Sequence, residues 1–165
     1  MAIVLLTVAF FFFCGWLLLV ANLEWLRRTE DPTYATDLFA GHLSVAKVLA
    51  TRKWHRRGGE PWDCSYAIVD LADGAPNVPP SWSNSDNGWK YKFGGDWKET
   101  PEPESHDNMR RALRFCSQYF DDATNDRLFR ALAEPGSWYV RGPVGEILYI
   151  YSLPQNIAAR IRVGD

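Results

Sequence analysis

From Met1 to Leu23 the chain carries no charged side chain, and the first is Glu24. Twenty-three helical residues rise about 34 Å at 1.5 Å each, enough to cross a hydrocarbon core of roughly 30 Å. Between Ile3 and Val20, thirteen residues are Leu, Ile, Val or Phe. At about −0.4 kcal/mol each they contribute roughly −5 kcal/mol to insertion. Thr7, Cys14 and Gly15 oppose this only mildly. Trp25, Arg27 and Arg28 follow the run, an aromatic-then-basic order suited to the membrane interface. The segment 1–28 therefore reads as a transmembrane anchor with its interfacial tail, and 29–165 as a soluble domain.

Two other readings of the same stretch are weaker. A cleaved signal peptide has a basic start, a shorter apolar core and a small-x-small cleavage site. Here no Lys or Arg precedes the run, and Leu19-Val20-Ala21 fits such a site poorly. A buried core helix would need enough interior to cover Phe10, Phe11, Phe12 and Phe13, which point in every direction around a helix.

Arg27 and Arg28 at the end of the span favour a cytoplasmic domain under the positive-inside rule. Cysteine usage points the other way. Cys14 lies in the span, which leaves Cys64 and Cys116 as an even pair that can bridge in an oxidising compartment. In the cytoplasm the two would be reduced, buried small hydrophobes. Of the two signals, the charge rule is given the greater weight here.

The overall charge of −2 hides an asymmetry. Residues 24–57 hold seven Lys and Arg against four Asp and Glu, and residues 58–165 hold eleven against sixteen. A basic membrane-proximal part suits anionic headgroups, each basic residue near them gaining roughly 1 kcal/mol. An acidic remainder argues against nucleic acid as the main partner. Arg27, Arg28, Arg52, Lys53, Arg56 and Arg57 are the candidate lipid-surface contacts. The competing reading is an ordinary solvated helix end.

Asp31-Pro32 marks a helix start, and Phe39, Leu43, Ala46, Leu49 and Ala50 recur at helical spacing. That predicts a helix to about Trp54, closed by its cations and by Gly58-Gly59. Ser65–Leu71 predicts a strand, and 72–87 a long loop. Trp89, Tyr91 and Phe93 alternate with lysines as in a half-buried strand. Gly94-Gly95 predicts a turn, and Pro101 and Pro103 an extended segment after it. Helices are expected from Ser105 to about Phe120 and from Thr124 to Glu134. A hairpin is expected around Gly142–Gly145, and a last short helix from Ser152 to Arg162. Without regular alternation of strand and helix, the domain reads as α+β, an antiparallel sheet with helices packed on it.

Chemistry is sparse. Trp82, Trp89, Tyr91 and Trp97 sit near polar loop residues and are candidates for stacking on a sugar or gripping a peptide. For Trp89 and Tyr91 the core face of a strand is the favoured alternative. His42, His55 and His106 are dispersed and share no known spacing with Cys64 or Cys116. No metal-binding motif and no glycine-rich phosphate loop occurs, so no cofactor is implied. The leading expectation is a non-enzymatic, membrane-anchored module. It would contact the bilayer and bind a protein partner or a surface glycan. A membrane-anchored hydrolase or glycan-processing enzyme is the alternative.

Overall fold

A computed structural model describes residues 2–29, 32–53, 64–80, 93–101, 103, 111–142 and 147–163. The side chains of the first helix are described from Thr7 to Asn22. The domain is α+β, built on a six-stranded, wholly antiparallel sheet. In chain order the elements are α1 (Ala2–Thr29), α2 (Pro32–Phe39), β1 (Val45–Arg52), β2 (Cys64–Leu71), β3 (Lys98–Glu99), α3 (Arg111–Cys116), α4 (Asp122–Ala133), β4 (Ser137–Arg141), β5 (Ile147–Ser152) and β6 (Ile157–Val163). Across the sheet the order is β1-β2-β6-β5-β4-β3.

Helices cover both faces. On one face α3 and α4 bury Ala112, Leu113, Leu128, Ala131 and Leu132 against Tyr66, Ile68, Tyr139, Leu148, Ile150, Ala159 and Ile161. On the other, α2 buries Tyr34, Ala35, Leu38 and Phe39 against Ala67, Val69, Tyr149, Tyr151 and Ala158. Side chains alternate between the faces along each strand. With both faces covered, an inner strand has no polar side to show. That is why Cys64–Val69 in β2 is buried at every position, including the polar Ser65.

The strand at Ser65–Leu71, the helix near Thr124–Glu134 and the β4–β5 hairpin form where the sequence predicts them. Within Ser105–Phe120, α3 spans Arg111–Cys116 and a 3₁₀ turn covers Ser117–Tyr119. Its start at Ser105 lies outside the described residues. So do Trp89 and Tyr91 of the expected aromatic strand; Phe93 is described as a fully buried loop residue.

Two expectations are corrected. The helix expected from Asp31 to Trp54 stops at Phe39. Gly41 takes a left-handed turn (φ 76°), and β1 follows. The chain across 45–52 carries β-branched Val45, Val48 and Thr51, which favour the strand. Ala46, placed on the buried helix face by the sequence pattern, is exposed. The last segment is also no helix. Leu153–Asn156 turns the chain, with Asn156 at φ 49°, and Ile157–Val163 enters the sheet between β2 and β5. Ala158, Ala159 and Arg160 favour helix locally. Hydrogen bonds to two neighbouring strands and burial on both faces override that preference.

Among the described residues no helix is long and apolar enough to cross a membrane. From Thr7 to Asn22 every side chain of α1 is exposed except Cys14, which is half-buried. Phe10, Phe11, Phe12 and Phe13 are 60–78% exposed. No described residue of α1 belongs to either core.

Candidate functional site

The strand register defines two ends of the sheet. One holds Arg52, Cys64, Arg141, Ile147 and Val163. The other holds Val45, Leu71, Ser137, Ser152 and Ile157. α2 packs along one face of the sheet. Tyr34, in its first turn, accepts a hydrogen bond from Arg160 Nη1 at the middle of β6, and after its last turn Ser44 O accepts from Ala72 N (2.9 Å) at the far end. The start of α2, three residues after α1 closes at Thr29, thus lies nearer the middle of the sheet than its close does.

That first end is cationic. Arg52, Arg141 and Arg162 fall on it or one residue pair inside it, and Arg160 stands at the middle of β6; Asp70, Glu99 and Glu134 lie at the far end together with Lys47 and Arg127. Arg160 and Arg162 are two residues apart on β6, so both project to the α2 face. Both are half-buried. Their Nε atoms are buried with no hydrogen-bond partner among the described residues. Arg52 lies on the opposite face, its guanidinium 4.5 Å above the Tyr119 ring. Tyr119 in turn stacks on Tyr66.

Among the candidate lipid contacts, Arg52 closes a strand and Lys53 follows it. They do not complement the dipole of a helix end, as the expected helix would require. Arg27 and Arg28 belong to the last turn of α1. Arg56 and Arg57 lie outside the described residues.

The aromatic candidates separate in the same way. Trp82, Trp89 and Tyr91 lie outside the described residues. Trp97 is half-buried, packs edge-on against Phe93 (5.4 Å between centroids) and donates its indole N–H to Pro80 O (2.9 Å). Phe93 also meets Phe39 and Tyr149 edge-on. Tyr151 donates its hydroxyl to Pro76 O, and burial pushes its phenol pKa up. Trp97 and Tyr151 thereby pin the loop 72–80 to the sheet, and Trp97 serves the core rather than an open surface.

Cys64 and Cys116 are bridged, with Cα atoms 5.7 Å apart, and both are fully buried. The bond ties the first residue of β2 to the last of α3. At the far end, Arg127 Nη2 pairs with Asp70 Oδ1 (2.7 Å) and donates to Gln155 O (2.7 Å) and Asn156 O (3.0 Å). It clamps α4 to β2 and to the β5–β6 turn, a structural role. Among the described residues no group of three or more His, Cys, Asp or Glu stands together in a way that could hold a metal ion.

Sequence reasoning missed Arg160 and Arg162. The signal was their i, i+2 spacing, which places both on one face of a strand but splits them across a helix. Reading Ser152–Arg162 as helix hid it. Arg127 and Asp70, 57 residues apart, gave no local signal at all.

Compared with known proteins, the chain matches no family model, no curated protein and no solved structure.

Proposed function

We propose that this chain is a single-pass membrane protein, with 1–28 as its anchor and 29–165 as a domain held at the bilayer surface. The observation that carries the reading is α1. Over the sixteen side chains from Thr7 to Asn22 it is exposed around its whole circumference and almost entirely apolar. A soluble helix turns one apolar stripe inward and a polar face outward. Over that stretch α1 has no polar face, and no described residue of it joins a core. Lipid satisfies such a helix: its backbone groups are bonded internally, and its side chains favour hydrocarbon over water.

The domain's side of the membrane turns on two opposed signals. Arg27 and Arg28 favour the cytoplasm, as a bias of two charges. The Cys64–Cys116 bridge favours an oxidising compartment, because reducing compartments keep thiols free. A bond buried between a strand and a helix is part of how the domain packs, so it outweighs a bias of two charges. We therefore place the domain outside the cytoplasm.

The domain's work is proposed to be binding rather than catalysis. Aromatic residues crowd residues 82–97, a stretch suited to a protein partner or a glycan. With Trp97 committed to the core, Trp82 is the residue left to test.

The anchor reading is tested by washing membranes from cells expressing the full chain in alkaline carbonate. Retention in the pellet, with release only by detergent, is the expected result. Release by carbonate alone would remove the anchor and with it the tethered reading.

A further inference from the structure

We propose that Arg160 and Arg162, with Tyr34, form a binding site for the phosphate group of an anionic lipid. The inference rests on the membrane-anchored reading and adds to it a specific site and a ligand chemistry.

The first support is electrostatic. A guanidinium taken partly out of water needs compensation from a carboxylate, a phosphate or several acceptors. Arg160 has a phenol oxygen as its only side-chain partner among the described residues, and Arg162 has none. Among the described residues neither belongs to an ion pair, whereas the half-buried Arg127 at the far end has a carboxylate and two carbonyls. The fold satisfies one half-buried arginine fully and leaves two others short of acceptors on the same surface.

The second support is geometric. Residues i and i+2 of a strand stand roughly 6.5–7 Å apart on one face. Two guanidinium forks at that spacing converge on one tetrahedral anion, and phosphate offers enough oxygens to accept from both. On β2 the small Ser65 and Ala67 lie opposite Arg162 and Arg160, whereas on β5 Ile147 and Tyr149 do, so the space beside the pair is on the β2 side.

The third support is position, and it favours a lipid over a soluble anion. Pro32 follows Thr29 by three residues, so their Cα atoms are at most about 11 Å apart. Tyr34 lies two residues further into α2, where the helix adds only about 3 Å. The Arg160–Tyr34 contact therefore sits within reach of the point where α1 leaves the hydrocarbon. The headgroup zone is there several ångströms deep. Arg162 lies next to the end of the sheet that also holds Arg52 and Arg141.

The test uses the full chain in nanodiscs, with arginine Nε–Hε signals read by NMR and assigned from single variants. Raising the phosphatidylglycerol fraction in a phosphatidylcholine disc is expected to shift the Arg160 and Arg162 signals saturably, while pure phosphatidylcholine leaves them unmoved. Arg162→Gln is expected to weaken the response still read at Arg160 at least about tenfold, and Arg160→Gln the response still read at Arg162, as loss of charge-assisted bonds implies. Arg162→Lys, which keeps the charge and volume, is expected to retain part of it and guards against misfolding as the cause. In a parallel arm, inorganic phosphate is added to the chain in phosphatidylcholine discs. Saturation by phosphate with no response to phosphatidylglycerol would overturn the lipid assignment, and no response to either would overturn the site. If the chain fails to enter discs, the anchor reading fails. The phosphate arm, run on the same chain in neutral detergent, then decides the arginine site by itself.

Discussion

Asp121 caps α4. Its carboxylate accepts from Thr124 N (2.8 Å) and from Thr124 Oγ1 (2.7 Å). The Thr124 hydroxyl bond, followed by the Thr124 backbone bond, holds its pKa below the ordinary aspartate value. A depressed carboxylate stabilises the fold above its unfolded pKa of about 3.9, and that contribution is lost as pH falls through the lower folded value. Asp121→Ala is expected to cost about 0.5–2 kcal/mol at pH 7, measured by urea denaturation. The difference between variant and parent should shrink below pH 4; a constant difference down to pH 2 would contradict the charged cap. The Cys64–Cys116 bridge was legible as a possibility but not as a fact, because pairing depends on where β2 and α3 meet in space. Replacing both cysteines by Ser, or reducing the bond, is expected to destabilise the domain by about 2–5 kcal/mol in denaturant titration. Equal midpoints with and without reductant would show that the bond contributes nothing.

Elements whose pattern is local and whose caps are strong, α4 and the β4–β5 hairpin, could be read from sequence. β1 and β6 could not, for different reasons. β1 shares an apolar spacing with a helix, and it is told apart only by the turn at Gly41 and by its pairing with β2. β6 holds helix-favouring residues in a place where two strands demand a third. Tertiary hydrogen bonding decides both, and that lies beyond any window of neighbouring residues. The same misreading concealed the arginine pair, so the candidate site was lost with the element that carries it. Between the loop and β3, Gly95 marks another such constraint. Its φ of 149° suits glycine, and an added Cβ would stand 3.0 Å from Val140 Cγ1. Gly95→Ala is expected to lower stability by about 1–3 kcal/mol through strain and crowding against β4. Thermal unfolding checks this; an unchanged midpoint would mean that Val140 yields without cost.

At the scale of the whole molecule, the sheet spreads its charges unevenly. Arg52, Arg141 and Arg162 stand at or next to one end, while Asp70, Glu99 and Glu134 stand at the other beside Lys47 and Arg127. The charge asymmetry read along the sequence is not carried over as read: the long basic helix does not form, Arg141 and Arg162 come from the acidic part of the chain, and Lys47 of the basic part lies opposite Asp70. A strand end and the close of β6 supply the cations instead. On the proposed reading, anchoring accounts for the exposure of α1. Cys14 offers the most direct measurement, because it lies within α1 and the other two cysteines are bonded to each other. A nitroxide attached to Cys14 of the full chain in liposomes reports its surroundings through collisions with oxygen and with a water-soluble nickel chelate. High oxygen accessibility with almost no nickel accessibility is the expected result. Ready collision with nickel, as for a label in water, would contradict the anchor.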